Sequence, residues 1–179
     1  MTPNRMEANM SLDTVRCIVT GHDAQGRAVV TEDTRLETRM NPSKASAASV
    51  VWTTSGSPVD LDTAEHGRDR AAQLTLAGGS VLRIIDMMPG GCSPMHRTSS
   101  LDYGIVLSGQ VELILDDGAI TTVDAGEVVI QRGTIHAWRN NTDTTARIAF
   151  VLLDARPATF DGKALPDVHV TDGVKPDFR

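Results

Sequence analysis

From Ser80 to Leu153 the chain is a succession of short runs rich in Val, Ile and Leu, each closed by Gly, Asp, Pro or Asn. The runs cover 80–87, 103–108, 110–115, 119–123, 127–131, 135–139 and 146–153. Asp116-Asp117-Gly118 and Asp124-Ala125-Gly126 are typical of the breaks between them. Apolar β-branched segments of this length, bounded by turn residues, are strands rather than helices. No window sustains a helical period. Many short strands with little between them predict an antiparallel barrel or sandwich. The 15 glycines and 8 prolines fit the same reading, because each turn needs its own special backbone geometry.

Upstream, Val15 to Thr20 and Arg27 to Thr31 are two further β-rich runs, and the turn chemistry of Gly21 to Gly26 makes them a hairpin. Residues 32–48 are polar and read as a loop, 49–54 as a short strand containing Trp52, and 55–79 as loop again. The predicted organisation is an N-terminal extension over 1–79, a barrel over 80–154 and a polar tail over 155–179, with 1–12 frayed. An isolated hairpin is marginal in water. Residues 15–31 or 49–54 are therefore expected to extend a partner's sheet in a homodimer or to cover the barrel.

Composition narrows the partners. With 40% hydrophobic and 22% charged residues, 179 residues are enough for one globular domain with a real core. A net charge of -6 without a basic run gives no electrostatic reason to bind nucleic acid or an anionic membrane. The longest apolar stretch, Ile148 to Leu153, is far too short to span a bilayer. No apolar core follows the first five residues, so no signal peptide is expected. The two cysteines, Cys17 and Cys92, match no zinc or redox spacing, and a reducing, cytoplasmic setting is expected.

Two segments hold the residues that carry chemistry. One runs from Gly90 through His96, Thr98 and Asp102 to Gly109, and the other from Gly126 through Gln131, Gly133 and His136 to Asn140. Together they resemble the two motifs of the cupin family. Gly90, His96, Asp102 and Gly109 fall on the spacing of the first motif, with Thr98 where a second His is expected and Asp102 in place of Glu. Gly126, Gly133, His136 and Asn140 match the second, with Gln131 in place of Pro and a leading gap one residue short. The resemblance covers residues 80–154 and implies an all-β jelly-roll barrel, a double-stranded β-helix, with its site inside the mouth. It extends to a subgroup of small bacterial and fungal cupins.

Side chains alternate along a strand, so Asp102 shares a face with Gly104 and Val106, and His136 shares one with Trp138 and Asn140. If both faces point inward, His96, Asp102 and His136 converge on one cavity, with Thr98 and Trp138 in its wall. Three of the four ligand positions implied by the resemblance still carry ligand-capable groups. The resulting two-His-one-carboxylate site suits Fe(II), Mn(II), Ni(II) or Zn(II), and no organic cofactor is indicated. The implied activity is that of a metal-dependent oxygenase, decarboxylase, isomerase or lyase on a small organic acid, ketone or phenol. Two alternatives stand beside it. In the first, a metal-free dehydratase, cyclase or epimerase uses His96 or His136 to move protons. In the second, the barrel binds a ligand without turnover. Arg97 and Arg132 are candidates for an anionic substrate, Tyr103 and Cys92 are expected to pack, and His22, His66 and His169 are expected at the surface.

Overall fold

The computed structural model describes residues 14–169; the polar start and the end of the tail lie outside the described residues. Fifteen strands and one 3-10 turn are present among them. The six-stranded sheet is formed by β3 (Arg39–Met40), β4 (Ser46–Thr54), β5 (Ser80–Met87), β7 (Ser100–Ser108), β10 (Val128–Arg132) and β12 (Ala146–Asp154). Its order is β10-β7-β12-β5-β4-β3. Facing it is a three-stranded sheet of β8 (Gln110–Ile114), β9 (Ile120–Asp124) and β11 (Ala137–Arg139), with β8 in the middle. All the pairings are antiparallel, as a chain of short strands joined by tight turns requires.

Alternation along these strands divides the apolar residues into two clusters. Met87, Val106, Val111, Leu113, Val123, Trp138, Ile148, Phe150 and Leu152 fill the space between the two sheets. Val51, Ile84 and Ala149 point the other way, out of the six-stranded sheet. The hairpin of β1 (Val15–His22) and β2 (Ala28–Leu36) lays Val15, Cys17 and Leu36 over that outer face. The hairpin therefore finds the sheet it needs within its own chain, and β4 occupies a place inside the six-stranded sheet.

Three expectations are corrected. The stretch 32–48 is not a loop throughout, because β2 runs on to Leu36 and β4 begins at Ser46. Its charges are those of a paired strand: Asp33 bonds Arg16 across the hairpin, and Glu32 bonds both Arg68 and His66. His66 is accordingly half-buried, edge-on to Trp52 with ring centroids 4.7 Å apart. Tyr103 does not pack in the core either; it lies 37% exposed on the outer face of β7.

Beyond β12 the tail does not wander over the surface. It makes a small hairpin, β13 (Thr159–Phe160) with β14 (Lys163–Ala164), and returns as β15 (Val168–His169). There it pairs with β6 (His96–Arg97), so that the backbone of His169 lies in register with His96 at the mouth of the barrel.

Candidate active site in the barrel mouth

His96 and His136 face each other in an isolated antiparallel bridge. Each backbone N–H donates to the other residue's carbonyl, at 2.8 and 2.9 Å. That pairing sets the two rings side by side, with centroids 4.3 Å apart. Each Nδ1 also lies 2.9 Å from the carbonyl two residues earlier, Pro94 for His96 and Thr134 for His136. A carbonyl only accepts, so Nδ1 is the protonated nitrogen in each neutral ring, and Nε2 carries the free lone pair. Two short loops of the same design thus present two basic nitrogens together.

The rings line a cavity of about 360 Å³, a size within the usual range for small-molecule sites. Its walls are mainly apolar, with Ile85, Met87, Trp138, Ile148, Phe150 and Leu152 among them. Trp138 packs edge-on to Phe150 at 5.5 Å, and its buried indole Nε1 has no partner. Thr98 is also in the wall, its hydroxyl 2.8 Å from that of Ser100.

Asp102 reaches this cavity from β7 on the same inward face as Gly104 and Val106, and is 4% exposed. Burial lifts its carboxyl above the usual carboxylate range, opposed by the Ser100 hydroxyl, His96 and Arg83. Its Oδ1 has no hydrogen-bond partner in the protein. Two further residues stand near it: Gln131, known from the sequence only as the residue in place of the motif Pro, and Arg83. Gln131 lies directly opposite Asp102 in the β10–β7 register and is 3% exposed, with both atoms of its amide unpartnered. Arg83 enters from β5, held by the carbonyls of Gln73 and Leu74. Burial lowers its pKa while Asp102 acts against that shift. The available signals were an amide directly after the Val128-Val129-Ile130 run and a lone guanidinium inside a strand of aliphatic residues.

Asn140 is buried but serves the fold. Its amide nitrogen donates to the carbonyls of Met87 and Thr144, and its oxygen accepts from Thr142. Cys92 is a free thiol beside Ser93, pushed up by burial, which keeps it unreactive.

The metal expectation meets a geometric test here. Among the described residues, no three His, Cys, Asp or Glu side chains come close enough together to hold an ion. His96 and His136 are adjacent, but Asp102 does not complete the set, and Thr98 offers a hydroxyl already bonded to Ser100. The shorter carboxylate and the missing imidazole both act in this direction. As placed, the donors do not fit the ion.

Burial, with a smaller contribution from His96, holds the His136 imidazole down to about 4. An unfolded histidine protonates near pH 6.5, so unfolding takes up a proton between those values. Stability present above pH 6.5 is therefore lost as the pH falls toward 4, by up to about 3 kcal/mol at the acidic end. The raised pKa of Asp102 works in the opposite direction on acidification. Urea midpoints for wild type and His136→Gln, measured from about pH 7 to about pH 4.5, isolate the histidine contribution. Parallel declines in the two proteins would show that His136 is not held neutral.

The model of the cupin domain matches residues 83–152. Phomopsin biosynthesis cluster protein C' of Diaporthe leptostromiformis is 38% identical over 94% of this chain and 93% of its own. The cupin-domain-containing oxidoreductase fogC of Aspergillus ruber is 36% identical over 82% of this chain and 76% of its own. This chain is a cupin. A second cupin-domain-containing oxidoreductase, virC of Hypocrea virens, is 37% identical over 78% of this chain and 75% of its own. For this cupin, the all-β barrel and the inward placement of both motifs follow the family pattern, while no three-donor set is assembled. No helix among the described residues is long and apolar enough to cross a membrane.

Proposed function

We propose that this cupin is a small-molecule enzyme that shifts a proton next to a carbonyl group, as an isomerase, dehydratase or cyclase does. The observation that carries the reading is the pair of imidazoles whose Nδ1–H groups are tied to backbone carbonyls, leaving two Nε2 lone pairs on an apolar cavity. An imidazole held in its free-base form can accept a proton near neutral pH, although the burial that keeps His136 neutral also weakens it as a base. His136 Nε2 takes a proton from the carbon beside the carbonyl, and the imidazolium so formed returns that proton at the neighbouring position, with the His96 ring beside it as the second base. The charge that develops on the substrate oxygen needs donors. The Gln131 amide and the Trp138 indole N–H are unpartnered donors able to supply them, and Asp102 Oδ1 can join them when its carboxyl is protonated. The relatives' names, from biosynthesis clusters and oxidoreductases, support a small organic substrate.

A second reading is favoured by those oxidoreductase names and by the carbonyl-anchored imidazoles, an arrangement that also suits histidines bound to Fe(II), Mn(II), Ni(II) or Zn(II). That reading would need Asp102 to join His96 and His136 around the ion, which it does not do as placed; an ion held there would supply Lewis-acid or dioxygen chemistry. Hydroxy acids, keto acids and catechols incubated in D2O, with a chelator or with each metal, separate the two readings. Deuterium entering the substrate in the presence of chelator supports proton transfer. Turnover that appears only with Fe(II) or another of the ions supports the metal.

A cytoplasmic homodimer belongs to the same proposal. The unpaired Cys17 and Cys92 support the location. For the dimer, the segments first expected to serve a partner are used within the chain. One exposed terminal strand is β10, where Val128 and Ile130 are 56% and 49% exposed beside Tyr103. Light scattering is expected to give twice the chain mass, and Ile130→Lys is expected to return a monomer.

A further inference from the structure

Next to the main cavity, and sharing Thr98 with it, lies a second hollow of about 230 Å³. Three separate stretches wall it: the chain around β6 and the start of β7, the end of β10, and the returning tail. Each contributes one arginine, Arg97, Arg132 and Arg156, and the lining contains no Asp or Glu. In a chain of net charge -6 this is a local reversal of sign.

The three guanidinium groups are also unmatched. Arg16, Arg68, Arg139 and Arg147 all pair with carboxylates, whereas none of these three has an ion-pair partner among the described residues. Arg97 donates from one terminal nitrogen to the Pro166 carbonyl at 3.3 Å, while its Nε is buried with no acceptor. Asp167, a nearby acid on the tail, is engaged by the Ser99 hydroxyl at 2.7 Å. The tail wall is held by backbone bonds, Ala155 N–H to Ser99 and Leu165 N–H to Ala158, and by the β15–β6 pairing.

We propose that this hollow binds the phosphate group of a phosphate ester. Guanidinium groups recognise oxyanions through directed pairs of N–H bonds. Three of them from different directions offer more donors than the two oxygens of a carboxylate can use, and their combined charge suits a dianion. The volume exceeds that of a bare oxyanion, leaving room for the ester's first atoms. The site is independent of the proton-transfer chemistry proposed above.

Calorimetric titration of the full chain with pyrophosphate, and with phenyl phosphate against benzoate, tests this at matched ionic strength. Saturable one-to-one binding is expected, with phenyl phosphate preferred to benzoate. Arg132→Gln with Arg156→Gln is expected to weaken pyrophosphate by about tenfold or more, since two charge-assisted contacts are removed. Both side chains are exposed, so circular dichroism should show an intact fold. The proposal is overturned by no saturable binding up to about 10 mM, by equal binding in the double variant, or by benzoate binding as tightly as phenyl phosphate.

Discussion

Replacement of His136 by Gln is expected to slow turnover by about 100- to 10,000-fold, the range by which a positioned acid or base accelerates proton transfer. Gln keeps a polar end of similar reach but cannot take up a proton at neutral pH, so the loss reports on chemistry more than on shape. His136 is 3% exposed, anchored through Nδ1 to Thr134 and bridged through its backbone to His96. The backbone bridge survives the substitution, and the second imidazole stays where it is. The readout is deuterium incorporation per unit time beside the thermal midpoint. A variant that folds as well as wild type and still exchanges within threefold of it would remove His136 from the mechanism. His96→Gln is the companion: a comparable loss would mean that the imidazoles act as a unit and that their effects do not add.

The largest expected effect on stability comes from a residue with no side chain. A Cβ on Gly79 would stand 1.8 Å from the carbonyl oxygen of Thr54 and 2.9 Å from its carbon. Both are backbone atoms at the end of β4, so no rotamer change relieves the collision. Gly79 also receives the Asp154 N–H on its own carbonyl and donates to Leu76, which ties the entrance of β5 to the end of β12. Gly79→Ala must push strands apart in the six-stranded sheet, at a cost of about 4 kcal/mol or more. Urea denaturation of the variant checks this. An unfolding free energy within about 1 kcal/mol of wild type would mean that the strand ends yield freely. Gly118→Ala is the control: its Cβ would meet nothing within 4 Å, although its positive φ of 70° still carries a modest strain.

The barrel was legible because its strands are short, apolar and closed by turn residues, features that do not depend on what lies opposite them. Residues 32–36 were not, because Glu32, Asp33 and Arg35 look like loop until one knows that Arg16, Arg68 and His66 face the first two. The site divides in the same way. His96 and His136 stand at fixed distances from glycines in their own segments, and the inward alternation of Asp102 with Gly104 and Val106 is a property of one strand. Gln131 and Arg83 become site residues only through register, Gln131 opposite Asp102 across β10–β7 and Arg83 two strands away on β5. Register is set by packing between distant segments, which no local pattern records. The failure of Asp102 to join the imidazoles has the same origin: spacing along the chain shows which residues approach one another but does not show how far a shortened side chain falls from the common point.

The position of β12 has a consequence for how the molecule is made. Arg83 sits on β5 and Asp102 on β7, yet those strands are not neighbours; β12 lies between them and pairs with both. A nascent chain that has reached residue 145 therefore contains every side chain of the main cavity except Ile148, Phe150 and Leu152, but no continuous sheet on which to hold them. Assembly waits for the last long strand to slot into the middle, and closure of such non-local pairings is slow. Ribosomes stalled before Ala146 should carry chains that bind nothing, and release of the finished chain should produce the pocket in a single step.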